Sequence, residues 1–338
     1  MFSNWLIVVL AFPATVALTM LVRRYSLHAG LIDQPGERRS HDRPVARGGG
    51  LAIAMTLLLA WPFLQLSSPL LAAFLIGVVV TAAMGFVDDH RPLPVRWRLP
   101  FQALLAVVTV LCVGPVDAIG VAGTSVSLVW LWTPMAIVAL VWMMNLFNFM
   151  DGSDGLAATQ AIFSSALFAA AFFYAGENEL GWLAVLCVSA CAGFLVWNWP
   201  RALVFLGDAG SLLLGWILGF LALAGTLTES VSVWLSFIIV SPFVVDATAT
   251  LLWRLGRRQQ WYNPHRDHAY QCLIRSGWSH QRVLLGLIAI NSLLVLPGVA
   301  LIIWQAWTDI LVAMVLVIAQ VGVWRLTRFV ETKEHESG

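Results

Sequence analysis

Val141-Trp142-Met143-Met144-Asn145-Leu146-Phe147-Asn148-Phe149-Met150-Asp151-Gly152-Ser153-Asp154-Gly155-Leu156 is the stretch that decides how this chain folds. The residues leading into it, from Leu128 to Phe147, are Val, Leu, Trp and Met almost throughout, a run long enough to cross a bilayer. Four polar side chains, Asn145, Asn148, Asp151 and Asp154, then follow at three-residue spacing, where the apolar span meets water. Side chains three apart are neighbours on a helix, so Asn145, Asn148 and Asp151 can face one cavity. Gly152 and Gly155 loosen the backbone and let a phosphate approach the main chain. A polar helix cap would use the same residue types, but acids and amides at a membrane boundary are functional by default.

Composition extends that reading to the whole chain. With 60% hydrophobic residues, 11% charged residues and 17 Trp in 338 positions, an ordinary water-soluble domain is excluded. The expectation is one polytopic, all-α membrane domain over 1–338, with no internal repeat and no linker to a second unit. Apolar runs fall near 3–22, 49–66, 70–87, 101–113, 128–147, 156–175, 181–198, 211–226, 231–252, 282–304 and 309–324. That predicts a bundle of about 10–11 transmembrane helices, the fourth run being short.

Charge placement orients the bundle. All 19 Lys and Arg residues lie in 23–48, 88–100, 199–210, 253–282 and the C-terminal tail, and none lies in 67–69, 114–127, 176–180, 227–230 or 305–308. The positive-inside rule therefore predicts an outside N-terminus and a cytoplasmic C-terminus, with 148–155 also on the cytoplasmic side. The first span has no basic n-region and no small-residue cleavage site, so it reads as a retained helix. Cys187 and Cys191, four apart on a helix, read as small apolar packing residues, and none of the four cysteines has metal-site spacing.

The chemistry-bearing residues gather in the same loops. The first loop contains His41, Pro44 and Arg47, then Gly48-Gly49-Gly50, three residues without Cβ that permit close approach to a phosphate or tight helix packing. Asp88-Asp89 is an adjacent carboxylate pair, which suits a Mg²⁺ site, a general base or simply a solvated turn at the membrane exit. Asp208, between Gly207 and Gly210, either caps the eighth span or holds a metal beside Ser211. In 253–282, His265, Arg266 and His268 fit a phosphate pocket better than a zinc site, which lacks a third nitrogen or sulfur ligand. Asp246, inside the ninth span, is expected to pair with Arg254 or with a polar group of the interior. Carboxylates for a divalent cation and cations for phosphates are the parts of phosphoryl transfer, and the hydrophobic bundle implies a lipid substrate.

Taken in order, His41-x-x-Pro44-x-x-Arg47-x-Gly49-Gly50, Asp88-Asp89, Asn145-x-x-Asn148-x-x-Asp151-Gly-x-Asp154-Gly-Leu and Phe-x-Gly207-Asp208-x-Gly-Ser resemble one family over nearly the whole chain. It is the polyprenyl-phosphate N-acetylhexosamine-1-phosphate transferases, the group containing MraY and WecA, and the pattern is most similar to the WbpL-like branch that starts O-antigen synthesis. The resemblance implies transfer of an N-acetyl-aminosugar 1-phosphate from a UDP-sugar to undecaprenyl phosphate, with release of UMP, at the inner membrane of a bacterium. It implies Asp88, Asp89 and Asp151 as catalytic residues and Asp208 as the ligand of Mg²⁺, with Mn²⁺ as the alternative ion. It implies Arg47, Asn145, Asn148, Asp154, His265, Arg266 and His268 as substrate-binding residues. A homodimer is compatible with it, and no nucleic-acid partner is expected. Ala46 stands where many members have a second Pro. His265-Arg266-Asp267-His268 replaces MraY's run of three histidines, which argues against a muramoyl-pentapeptide substrate and for a FucNAc-, QuiNAc- or GlcNAc-type donor. A lipid or lipid-linked sugar transporter is the alternative, but its charges belong in mid-span and its helices in repeats. A CDP-alcohol phosphatidyltransferase would need an Asp-Gly-x-x-Ala-Arg continuation that is missing after Asp151 and Asp154.

Overall fold

A computed structural model describes residues 2–34, 44–121, 123–259, 265–304 and 308–337. His41 lies outside the described residues. The chain is an all-α bundle in which ten helices are long and apolar enough to cross a membrane, among the described residues. The helices in order are α1 (Phe2–Ala29), the shorter α2 (Gly50–Ala60), α3 (Ser68–His90), α4 (Val95–Val113), α5 (Val129–Met150), α6 (Leu156–Ala175) and α7 (Asn178–Asn198). There follow α8 (Gly207–Leu227), α9 (Val233–Gly256), the short α10 (Ala269–Arg275), α11 (His280–Ile290), α12 (Leu296–Ile303) and α13 (Asp309–Ser337). A π turn, Asn291–Val295, joins α11 to α12, so the tenth apolar run is one interrupted helix.

Ten long helices rather than eleven follow from the second run. Gly50–Phe63, including its terminal 3₁₀ turn, is a shorter apolar helix. At 1.5 Å per residue it spans roughly 20 Å, less than the ~30 Å hydrocarbon core. Other helices overrun their predicted ends: α1 continues to Ala29 and carries Arg23 and Arg24 inside the helix, and α4 starts at Val95. Two small antiparallel hairpins were not expected: β1 (Ile32–Asp33) with β2 (Val45–Ala46), and β3 (Ala118–Val121) with β4 (Thr124–Ser127). Two- and four-residue strands are too short to leave a periodic signature.

Helix α8 is the centre. Of its membrane-length window 83% is buried, against 22% for α5 and 39% for α3, as expected for a helix apolar all round. Small residues let its neighbours close in: a Cβ on Gly50 would lie 2.0 Å from Gly210 Cα, so the starts of α2 and α8 cross at backbone contact. The strap before α2 is stitched to the strap before α8 by Phe205 N–H to Ala46 O at 2.8 Å, Gly49 N–H to Phe205 O at 2.9 Å and Gly50 N–H to Leu206 O at 2.8 Å. The Gly49-Gly50 pair is therefore spent on helix packing rather than on a ligand. Cys187 and Cys191 are buried free thiols.

Helix direction alternates, so one end of the bundle gathers the C-terminal ends of α1, α3, α5, α7 and α9 with the N-terminal ends of α2, α4, α6, α8 and α11. Contacts such as Ser26–Arg47, Arg98–Asn148, Gly155–Asn198 and Ser153–His280 tie these ends together. Side chains facing outward elsewhere are apolar, among them Val9, Leu104, Leu111, Val138 and Ile318. That surface suits acyl chains.

Candidate active site

The ends gathered here enclose a polar cavity of about 500 Å³, lined by Asp33, Arg47, Asn148, Asp151, Ser153, Asp154, Asp208, Arg266, Gln271 and Arg275 among others. Its volume lies in the range of small-molecule sites.

Asp208 is placed by backbone strain that only glycine relieves. Gly207 has φ +75°, and a Cβ there would meet Asp89 Oδ2 at 2.7 Å. This turn lets the start of α8 deliver its first N–H groups to Asp89: Asp208 N–H to Oδ1 at 2.9 Å and Ala209 N–H to Oδ2 at 3.3 Å. A carboxylate at a helix N-terminus is favourable both as a cap and against the helix dipole. Arg47 then bridges the two acids, Nε to Asp89 Oδ1 at 2.8 Å and Nη2 to Asp208 Oδ2 at 2.9 Å. Burial works against the Arg47 charge, but Asp208 and Asp89 outweigh it, so its pKa rises above the ordinary value. Asn148 donates to Asp208 Oδ1 at 2.5 Å and to Ser211 Oγ at 3.0 Å, so both carboxylate oxygens of Asp208 have protein donors.

Asp88 faces elsewhere. It accepts from Leu93 N–H at 2.7 Å and pairs with Arg98 Nε at 3.2 Å, while Arg98 Nη2 donates to Asn148 Oδ1 at 3.0 Å. Neither Asp88 nor Asp89 lines the cavity; each acts on it through an arginine.

Asp151 follows the last residue of α5 and lines the cavity. Burial, then the nearby Asp208 carboxylate, pushes its pKa well above the usual carboxylate range. Asp154 accepts from Ala202 N–H at 3.0 Å, and Gly155 N–H donates to Asn198 Oδ1 at 3.0 Å, which clamps the 151–155 turn to the end of α7.

The expectation that Asn145 shares this cavity is not met. Its Nδ2 donates to Gln102 Oε1 at 2.6 Å and to Val141 O at 2.8 Å, so it bridges α4 and α5 inside the bundle. Three residues on an α-helix turn 300°, so the three-residue row drifts around the axis, and only Asn148 and Asp151 stay on the cavity side. Arg266 lines the cavity, but His265 and His268 do not. Burial, with His268 and Arg254 nearby, lowers the His265 pKa to about 4, so it is neutral at pH 7 and supplies no cation. His268 is buried, 3.8 Å from Asp246, and stacks on Phe149 and Tyr270. Of the two partners expected for Asp246, a polar group of the interior and not Arg254 is found: it accepts from Thr250 Oγ1 at 3.2 Å and from Ala269 N–H at 2.8 Å, holding the start of α10, while Arg254 pairs with Asp267.

Several cavity residues escaped sequence reasoning. Gln271, Ile274 and Arg275 lie on one face of α10 at i, i+3 and i+4, a pattern readable once that segment is known to be helical. Asp33 and Asn198 carried no local signal.

The cavity was tested for a divalent cation by its donor chemistry. Among the described residues no group of three or more His, Cys, Asp or Glu is spaced to hold a metal unaided. Mg²⁺ takes one or two carboxylates together with waters and substrate phosphates, so a complete cage is not required. Asp208 and Asp151 are hard oxygen donors on one cavity, and the Asp208 carboxylate raises the cost of charging Asp151. They fit such an ion.

Comparison with known proteins agrees with this geometry. Residues 71–226, from α3 to α8, match the family described as Glycosyl transferase family 4. The chain is 26% identical over 329 residues to a probable undecaprenyl-phosphate N-acetylglucosaminyl 1-phosphate transferase of Bacillus subtilis, covering 94% of this chain and 90% of the relative. It is 33% identical over 267 residues to a phospho-N-acetylmuramoyl-pentapeptide-transferase of Moorella thermoacetica, covering 75% and 81%. It is 27% identical over 292 residues to a decaprenyl-phosphate N-acetylglucosaminephosphotransferase of Mycobacterium leprae, covering 74% and 72%. With a third of the aligned positions shared across four fifths of one relative, the chain belongs to the membrane-embedded polyprenyl-phosphate sugar-1-phosphate transferases of glycosyl transferase family 4.

Proposed function

We propose that the protein transfers an N-acetyl-aminosugar 1-phosphate from a UDP-sugar to undecaprenyl phosphate, releasing UMP, at the cytoplasmic face of a bacterial inner membrane. The observation that carries this reading is one cavity that combines Asp151, Asp154 and Asp208 with Arg47, Arg266 and Arg275 at the end of an apolar bundle. A diphosphate needs both signs: arginines for its oxygens and carboxylates for the cation that accompanies it. The names of the relatives support a polyprenyl-phosphate acceptor and an N-acetylhexosamine group. The lipid-linked product is the starting point for O-antigen or a related glycan.

In the reaction an oxygen of the lipid phosphate attacks the sugar-bearing phosphorus, and the P–O bond to the UMP phosphate breaks as UMP leaves with that oxygen. A phosphate monoester is largely ionised at neutral pH, so attack needs no proton removed by a side chain. Asp208 and Asp151 would hold Mg²⁺, which would neutralise diphosphate charge when bound. Arg47 sits between that pair and Asp89, within reach of a phosphate oxygen once released from Asp208. Asn148 orients Asp208, and Arg98 orients Asn148 in turn. Arg266 and Arg275, which line the same cavity, take the remaining phosphate oxygens. Asp88 serves by fixing Arg98, and Asp89 by fixing Arg47 and the start of α8; both roles differ from proton transfer. Positioning of this kind is the main source of rate in phosphoryl transfer.

The test is UMP release from a panel of UDP-N-acetyl-aminosugars by the purified protein in detergent, with and without undecaprenyl phosphate and Mg²⁺. Release that requires both is the expected outcome, and the preferred donor identifies the sugar. Absence of release with every donor, from folded protein, would overturn the reading.

A further inference from the structure

We infer that His280 is a positioning residue for the transfer: its imidazole fixes the 151–155 turn so that Asp151 and Asp154 keep their place on the cavity wall. The inference rests on the proposed reaction for its kinetic part and on the structure alone for its mechanical part.

His280 is not itself among the residues lining the cavity, yet it holds two that are. Its Nδ1 lies 2.9 Å from Ser153 Oγ and 3.2 Å from the backbone N of Asp154, and Asp154 Oδ1 is 3.8 Å away. A backbone N–H can only donate, so Nδ1 carries the lone pair and the ring is the neutral tautomer protonated at Nε2. Other parts of the turn have their own partners: Tyr270 O–H donates to Phe149 O at 3.0 Å just before it and Tyr270 hydrogen-bonds the Gly152 backbone, while Ala202 N–H donates to Asp154 Oδ2 and Gly155 N–H to Asn198 Oδ1. Between them, Ser153 and the Asp154 amide depend on Nδ1. The imidazole is in turn placed by the first residue of α11, whose start is capped by Ser279 Oγ accepting from Arg282 N–H at 3.2 Å. A rigid helix end thus grips a glycine-flanked turn, and misplacement of a carboxylate by even an ångström matters in a reaction that runs on positioning.

A residue that merely filled space would not require a lone pair at Nδ1. Asn offers an acceptor oxygen at nearly the same reach, whereas Leu offers comparable bulk and no acceptor. The experiment compares His280→Leu and His280→Asn with the wild-type protein by three readouts: hydrogen exchange in peptides spanning 151–155, kcat and KM of UMP release, and Tm in detergent. For His280→Leu, exchange in the turn rises and kcat/KM falls about ten-fold, the scale of one ordinary hydrogen bond to a buried group, with Tm nearly unchanged. His280→Asn restores both. Unchanged exchange in His280→Leu, an Asn variant as impaired as the Leu variant, or a kinetic loss that tracks a loss of Tm would each overturn the inference. If the wild-type protein releases no UMP from any donor, the proposed reaction fails, and the exchange comparison still decides whether His280 holds the turn.

Discussion

Arg47 and Asp208, 161 residues apart in sequence, meet at 2.9 Å, and with Asn148 on the other oxygen each carboxylate oxygen of Asp208 has a protein donor. A hard dication binds the same oxygens and is repelled by the guanidinium beside them. Arg47 is therefore the internal counter-charge of the ligand-free cavity, and metal binding competes with it. Arg47→Gln is expected to tighten Mn²⁺ binding in the absence of substrate several-fold, read by electron paramagnetic resonance, while lowering kcat/KM by about a hundred-fold, the scale of a lost charge-assisted pair. Asp208→Asn is expected to abolish both binding and turnover. Mn²⁺ affinity indifferent to both substitutions would remove Asp208 from the metal site.

Asp88, Arg98 and Asn148 form a chain of contacts that ends at Asp208. If Asp88 acts by fixing Arg98, Asp88→Asn and Arg98→Gln disrupt one device. Each single variant is expected to lower kcat/KM roughly ten-fold, and the double variant no further, a coupling of about 1.4 kcal/mol. A base role predicts something else: Asp88→Asn would abolish turnover, and Arg98→Gln would add its loss independently. The double-mutant cycle separates the two.

Much of this architecture was legible beforehand because a bilayer punishes exceptions. Apolar runs of the length of α3, α5 and α9 have few other folds available. Asn148, Asp151, Asp154 and Asp208 fall on the cavity because each stands where an apolar helix ends. What failed were statements about direction. Asn145 looked equivalent to Asn148, but one turn deeper in the bundle it meets Gln102 instead. His265 and His268 looked like phosphate ligands, but tertiary packing half-buried the first, buried the second and turned the work over to Arg266 and Arg275. Asp89 looked like half of a metal site, and it caps α8, a contact 119 residues distant that no local pattern encodes.

The Asn145–Gln102 bond yields a contrast with Asn148. Interhelical hydrogen bonds in membranes average about 0.6 kcal/mol, with a maximum near 1.7. Asn145→Ala is expected to lower Tm by a few degrees and leave the donor KM unchanged. Asn148→Ala, which strips a donor from Asp208, is expected to do the reverse, costing turnover with little change in Tm. Equal effects from the two would mean that Asn145 reaches the substrate after all.

Asp151 makes stability depend on pH. Burial and the neighbouring Asp208 raise its pKa in the folded protein, so the folded state favours the protonated acid. The stability this contributes is complete below the ordinary carboxylate pKa of about 4 and is lost as pH rises from there through the raised folded-state value. As pH rises the ligand-free protein therefore loses this contribution, because burial and the Asp208 carboxylate disfavour the ionised form of Asp151. Asp151→Asn removes that burden: its Tm is expected to exceed the wild-type value at pH 8, and the difference is expected to shrink toward pH 4. Mg²⁺ at pH 8 is expected to raise the wild-type Tm more than that of Asp151→Asn, because the cation offsets the negative charge that burial and Asp208 disfavour at Asp151. Thermal unfolding of both proteins in one detergent across this pH range, with and without Mg²⁺, checks the prediction, and a wild-type Tm above that of the variant at pH 8 without the ion would contradict it.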